Sequence, residues 1–229
     1  MYNPQMNIIR LNQVDSTHTY LKKYIQENGY KEPICIVTSL QTNGIGSRGN
    51  EWTGKKGNLF FSFVLSKEDL PSDLELQSSS IYFSFILKDL LKKIGSKVWL
   101  KWPNDFYVDS KKIGGTITTM SKDLIYCGIG LNLINVSEEF GNLDIQIDIE
   151  NLLKNYFFEL KKKILWKQIF SDFQIEFQHS QKFQATIENE KVSLENALLN
   201  DDGSIQVNNK KVFSLRWQKL FQSPTKKAE

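Results

Sequence analysis

The chain reads as an α+β protein: a mixed, largely antiparallel sheet with helices on one face, followed by a small β-barrel-like unit. Three observations carry this expectation. Short apolar runs recur from Ile8 to Leu133 and read as strands. Between and after them, apolar side chains at i, i+3, i+4 spacing read as amphipathic helices. Near Ser180 the period switches from helical to alternating, which marks a second unit of short strands.

The first strand is Ile8 to Leu11. Asp15-Ser16-Thr17 follows as a helix start, because hydroxyl side chains satisfy free backbone N–H groups there; Tyr20, Leu21, Tyr24 and Ile25 continue at helical spacing, and Asn28-Gly29 closes the helix. On spacing alone Ser16 and Thr17 are caps, although a helix N-terminus also holds polar ligands. Pro33 to Leu40 reads as a buried strand leading into a glycine-rich polar loop from Gln41 to Trp52. Such loops present N–H groups to phosphates and also serve as linkers. This one matches neither a Walker A loop nor a dinucleotide fingerprint. Asn58 to Leu65 is another apolar strand, and Pro71 to Glu75 resembles a capping box. Phe83, Ile86, Leu87, Leu90, Leu91 and Ile94 then mark a helix whose aromatic stripe belongs in the core.

At the centre lie Lys101-Trp102-Pro103-Asn104-Asp105 and Lys111-Lys112-Ile113-Gly114-Gly115, separated by Phe106, Tyr107, Val108 and the turn pair Asp109-Ser110. The two segments should meet at one end of a β-hairpin. Asp105 and Asn104 offer hard oxygens of the kind Mg²⁺ prefers, Lys112 adds a compact positive charge, and Gly114 and Gly115 permit close backbone approach. That set suits activated-phosphate chemistry; the bland reading is a solvated turn carrying lysines. Ile113 to Met120 and Leu124 to Leu133 are the next strands, the latter holding Gly128-Ile129-Gly130-Leu131-Asn132. Val136 to Asp144 reads as a loop. Residues 147 to 179 read as two helices or one bent helix.

Composition agrees with a folded protein of 229 residues, 40% hydrophobic and 24% charged. Length suits a catalytic domain over residues 1–180 and a small domain over residues 181–229. Basic and acidic residues number 29 and 26, a net charge of +3, which gives little reason to expect nucleic-acid binding. Cys35 and Cys127 lie in apolar runs, as buried free thiols do. His18 and His179 are too far apart in sequence to suggest a histidine metal site. No signal peptide or membrane span is read, and the expected location is cytoplasmic.

The hairpin motifs resemble the centre of a biotin protein ligase, and the resemblance extends along most of the chain. Asp15 to His18 is similar to the family's Asp-Ser-Thr-Asn segment. Gln41 through Trp52 is similar to its Gly-Arg-Gly-Arg-x-Gly-x-x-Trp loop, and Gly128 to Asn132 to Gly-Ile-Gly-Ile-Asn. Ala197 to Leu199 with Val212 to Arg216 resembles the family's small C-terminal domain. The resemblance implies a class II synthetase-like fold with an SH3-like barrel. It implies ATP-dependent activation of biotin as biotinyl-5′-AMP, then transfer to a lysine of the biotin carrier domain of a biotin-dependent carboxylase. It implies catalytic roles for Lys112 and Arg48. Biotin would be held by Ser16, Thr17, His18, Gln41, Gly44, Ile45, Gly46, Ser47, Lys112, Gly115, Gly128 and Gly130. ATP would be held by Arg48, Trp52, Asn104, Asp105, Lys112 and Asn132, with Trp52 stacking on adenine. Magnesium would sit on Asp105 and Asn104.

Two departures shape further expectations. The family loop carries arginines where this chain has Ile45 and Ser47. Losing a charged hydrogen bond costs about 1.5–3 kcal/mol, roughly ten- to a hundredfold in affinity, so the adenylate should leak more readily. The first strand arrives early, leaving no room for the DNA-binding domain of family repressors, so a monofunctional ligase is expected. Monomer and homodimer both stay open. A lipoate–protein ligase is the near alternative, and a protein- or RNA-binding module the distant one. The loop from Gly44 to Lys56 should order on ligand binding.

Overall fold

The structure is a computed structural model, and it describes residues 6–46, 51–52, 54–188 and 190–213. A seven-stranded sheet forms the body. Its strands are β1 (Asn7–Leu11), β2 (Ile34–Thr38), β5 (Leu59–Ser66), β6 (Trp99–Lys101), β7 (Asp105–Val108), β8 (Lys111–Ser121) and β9 (Leu124–Leu131), in the order β1-β2-β5-β9-β8-β7-β6. Only β1 and β2 run parallel; the other neighbours are antiparallel. The β5, β9 and β8 strands lie in the middle of the sheet, each paired on both sides. A separate two-residue ribbon joins β3 (Gly44–Ile45) to β4 (Glu51–Trp52).

Among the described residues four α-helices cover this sheet: α1 (Thr17–Asn28), α2 (Ser79–Lys93), α3 (Ile149–Lys161) and α4 (Trp166–Ser180). They do not share one face. Leu21 and Ile25 of α1 pack on Ile34, Ile36, Val64 and Tyr126, the even-numbered side chains of β2, β5 and β9. Cys35, Phe61, Phe63 and Cys127, the odd-numbered ones, point the other way into the core with α2, α3 and α4. The expectation of helices on one face is corrected accordingly. Both faces of β2 carry apolar side chains, so both need a cover, and a strand buried throughout its length cannot reveal that α1 supplies one of them.

The main core is aromatic. Phe63 meets Phe83 edge-on at 5.1 Å and Phe157 at 5.5 Å, and Tyr156 donates its buried hydroxyl to the Phe83 carbonyl at 3.1 Å. Two helix starts, α1 and α3, carry side-chain caps, whereas α2 and α4 receive none from their own N-cap residues. Ser16 caps α1, and Asp148 caps α3 through the N–H groups of Glu150 and Asn151. The box expected at Pro71 to Glu75 caps nothing there: α2 begins only at Ser79, and the Asp73 carboxylate instead accepts from Trp166 and Lys167 at the start of α4. The helical stretch after residue 147 is two helices, broken where Lys163 takes φ 48°.

Past α4 come β10 (Gln184–Ile187) and β11 (Glu190–Ser193), then β12 (Leu198–Leu199), β13 (Ile205–Val207) and β14 (Lys210–Val212). They form two small antiparallel sheets. Ser214 to Arg216, part of the C-terminal motif, lie outside the described residues.

Candidate active site

A cavity of about 390 Å³ opens on the α1 face of the sheet. This face is divided. Where α1 covers it the side chains are large and apolar; beyond the N-terminus of α1 they become Ser62, Gly115, Gly128 and Gly130. Small residues in central strands leave the space a ligand needs. A Cβ on Gly128 would sit 3.1 Å from both Ile117 Cγ1 and Ser62 Oγ, so substitution would fill the floor.

One end of the cavity is a hydroxyl and amide cluster. The N–H of Thr17 donates to Gln41 Oε1 at 2.7 Å, the Thr17 hydroxyl donates to the same oxygen at 2.9 Å, and Thr17 and Ser62 hydroxyls lie 2.8 Å apart. With Oε1 held this way, the amide NH₂ of Gln41 is the group left to address a ligand. His18 stands beside them, buried, its Nε2 3.2 Å from Thr119 Oγ1 and its Nδ1 without a partner. Burial, and then the charge of Lys22, push its pKa down to about 3, so the imidazole is neutral at physiological pH.

The other end is an ion pair: Lys112 Nζ lies 2.7 Å from Asp105 Oδ1, each side chain about one-quarter exposed. Its placement depends on a bulge. Asp105 faces Gly115 and Phe106 faces Gly114, but Tyr107 faces Lys112, so Ile113 is the extra residue. In regular pairing Lys112 would oppose Val108 and point into the core. The bulge turns it to the face of Asp105 and sends Ile113 into the core instead. The bulge is itself held from outside: Asn132 N–H donates to the Ile113 carbonyl at 2.7 Å and Gly141 N–H to the Lys112 carbonyl at 2.9 Å. Only glycine fits at 141, where a Cβ would lie 2.9 Å from Lys111 Cβ.

The described parts of the glycine-rich loop fold over this floor. Gly44 pairs with Trp52 in the short ribbon, which carries the indole back across Gly130, 5.5 Å from Lys112 Nζ and 6.3 Å from Phe140. A Cβ on Gly44 would come within 2.6 Å of the Trp52 carbonyl, and one on Gly54 would collide with the Gln41 carbonyl.

Of the residues expected from sequence, Ser16, Thr17, His18, Gln41, Ile45, Gly46, Trp52, Asp105, Lys112, Gly115, Gly128 and Gly130 line the cavity, and Gly44 supports its wall. Ser47 and Arg48 lie outside the described residues. Asn104 and Asn132 do not line it. The Asn104 amide donates to the Thr116 carbonyl, and Asn132 donates to the Gly141 carbonyl at 3.2 Å. Both are tied to backbone because hairpin and loop carbonyls beside them need donors. Ser62 and Phe140 line the cavity without having been anticipated. Ser62 had a legible signal, the one polar residue in the apolar run Leu59 to Leu65; Phe140 sits in a polar loop and had none.

Fold and cavity together define a class: an α+β domain whose cleft joins a polar recognition end to a lysine–carboxylate pair across a glycine floor. Residues 11–132 match the model of the Biotin/lipoate A/B protein ligase family, and the chain belongs to that family. Biotin–protein ligase 2 of Arabidopsis thaliana is 37% identical over 112 residues, 44% of this chain and 33% of that protein. The bifunctional ligase/repressor BirA of Escherichia coli is 30% identical over 127 residues, 52% of this chain and 38% of that protein. The matches thus span well under half the length of these curated relatives. A crystal structure of the biotin acetyl coenzyme A carboxylase synthetase of Helicobacter pylori, with bound biotinylated ATP, superposes with a TM-score of 0.87 at 38% identity, over 91% of this chain and 100% of that one. A biotin protein ligase from Aquifex aeolicus in complex with biotin and ATP shares the fold, with a TM-score of 0.67 at 24% identity over 92% and 98% of the two chains. Among the described residues no helix is long and apolar enough to cross a membrane.

Proposed function

We propose that this chain is an ATP-dependent biotin–protein ligase. The observation that carries the reading is the bulge-directed ion pair of Lys112 and Asp105, facing a polar pocket across a glycine floor. The ureido ring of biotin has one carbonyl acceptor and two N–H donors. The Gln41 amide NH₂ and the Ser16 hydroxyl supply donors for the carbonyl, while Thr17 and Ser62 hold Gln41 in place. The valerate chain crosses Gly128 and Gly130 beneath Trp52, and its carboxylate arrives beside Lys112. That carboxylate attacks the α-phosphorus of ATP: a carboxylate oxygen–phosphorus bond forms and pyrophosphate leaves. Lys112 neutralises charge that grows on the α-phosphate oxygens and holds the nucleophile in line. A lysine amine of a carrier domain then attacks the acyl carbon and AMP leaves with the bonding electrons.

Mg²⁺ suits this site as a nucleotide-borne ion. It takes one or two carboxylates and fills its other positions with phosphate and water oxygens, and Asp105 is the described carboxylate lining the cavity. When bound it would supply charge neutralisation at the phosphates. By the family resemblance Arg48 would act on the phosphates, and the neighbouring Trp52 and Phe140 rings suit the nucleotide base. Two buried free thiols fit a reducing, cytoplasmic setting.

The test is biotin-dependent exchange of labelled pyrophosphate into ATP. Lys112→Ala should lose about 10²–10³ in rate, the scale for removing one preorganised donor. Its stability should change by only about 0–1 kcal/mol, since the pair is partly solvated. Exchange supported by lipoate and not by biotin would overturn the reading.

A further inference from the structure

Trp102 is almost fully buried beneath the turn that ends in Asp105, at 1% exposure. Both of its nitrogens are held by the C-terminal half of the chain. Its backbone N–H donates to Ser180 Oγ, the last residue of α4, at 2.9 Å. Its indole Nε1 donates to the Gly203 carbonyl at 2.8 Å. The same turn receives two further donors: Ser78 Oγ reaches the Asp202 carbonyl at 2.6 Å and Trp166 Nε1 the Asp201 carbonyl at 2.8 Å. Three consecutive carbonyls are therefore gripped by three side chains of the main domain. The grip is tight: Gly203 has φ 74°, and a Cβ there would lie 2.7 Å from Ile81 Cδ1. From Trp102 the chain runs three residues to Asp105, passing Asn104, whose carbonyl accepts from Thr116 N–H at 3.0 Å.

We infer that Trp102, with Ser180 and the Asp201–Gly203 turn, is a positioning device for Asp105, through which the C-terminal strands act on the nucleotide end of the cavity and not on the ureido end. Asp105 sits on one face of the sheet and Trp102 is anchored in the core below the other, so movement of the anchor is transmitted through two residues to the carboxylate. In the hydroxyl and amide cluster Thr17 belongs to α1, Ser62 to β5 and Gln41 to the loop after β2, and their bonds run to one another rather than to this anchor.

The inference rests on the ligase reading for its kinetic consequence, and it is tested in two ways. Trp102→Phe keeps a ring and removes the indole donor; Ser180→Ala removes the acceptor, and Ser180→Thr retains it. In the exchange assay both deletions should raise KM for ATP about tenfold, a scale set by small misplacements of catalytic groups, while KM for biotin stays within about twofold; Ser180→Thr should be restored. A core variant in the separate apolar cluster beneath α1, Ile36→Ala, compared at a matched loss in Tm, should leave KM for ATP unchanged. Independently of activity, amide hydrogen exchange at Thr116 should accelerate in Trp102→Phe and Ser180→Ala, with β5 unchanged. Unchanged Thr116 exchange and unchanged KM for ATP in both variants would overturn the inference. Accelerated Thr116 exchange in a chain that shows no biotin-dependent exchange would leave the positioning intact and overturn the ligase reading instead.

Discussion

His18 makes acid stability a quantitative test of how the recognition end is built. Burial holds its native pKa at about 3, below the ordinary 6.5. Because the native value is depressed, the unfolded chain binds the extra proton. The native state therefore loses stability as pH falls below 6.5, the loss levels off near pH 3, and the group contributes nothing above about pH 7.5. At pH 5.5 the unfolded imidazole is roughly nine-tenths protonated while the native one is neutral, a penalty of RT ln(1 + 10), about 1.4 kcal/mol. His18→Gln keeps a side chain able to reach Thr119 and removes the titration. Urea unfolding of both proteins at pH 7.5 and pH 5.5 measures the difference, in which the carboxylates and His179 cancel. With an m-value near 2 kcal/mol per M, the wild-type midpoint should fall by about 0.7 M more than the variant midpoint between the two pH values. Parallel pH dependence in the two proteins would refute the claim that His18 is buried and neutral. The same depression predicts biotin affinity that is flat from pH 6 to 8 with respect to His18.

Three further outcomes are expected. Gly128→Ala should fold and bind ATP, yet weaken biotin by more than about tenfold in calorimetry, because the new methyl meets Ser62, Ile117 and His18 at the cavity floor and overpacking costs about 1–3 kcal/mol. Glu176→Ala strands the Lys88 ammonium, which lies 3.3 Å from that carboxylate in the contact between α2 and α4. Its stability in urea should drop by about 3–5 kcal/mol, and Lys88→Met combined with Glu176→Leu should lose less than either removal alone. Ile45→Arg places a guanidinium at the rim of the cavity, where Ile45 is half-exposed. Single-turnover trapping should then show adenylate release slowed by about tenfold, the value of one charged hydrogen bond; an unchanged release rate would remove the explanation for a leaking intermediate.

Much of this molecule was legible from local pattern. Period and turn chemistry gave the apolar strands, the amphipathic α2 and α3, and the hairpin that brings Asp105 and Lys112 together around Asp109-Ser110. The ordered motifs from Ser16 to Asn132 gave the family. Each of these signals is carried by neighbours in the chain, whose spacing fixes which groups share a face. What the chain alone could not decide is direction. Whether Lys112 enters the cavity or the core depends on one unpaired residue, Ile113, because side chains alternate at every step along a strand and a slip of one reverses them all. The bulge is fixed by bonds from Asn132 and Gly141, some twenty to thirty residues away in sequence. The same dependence on distant partners turned Asn104 and Asn132 toward backbone carbonyls, put α1 on the face opposite the other helices, and brought Ser62 and Phe140 to the cavity.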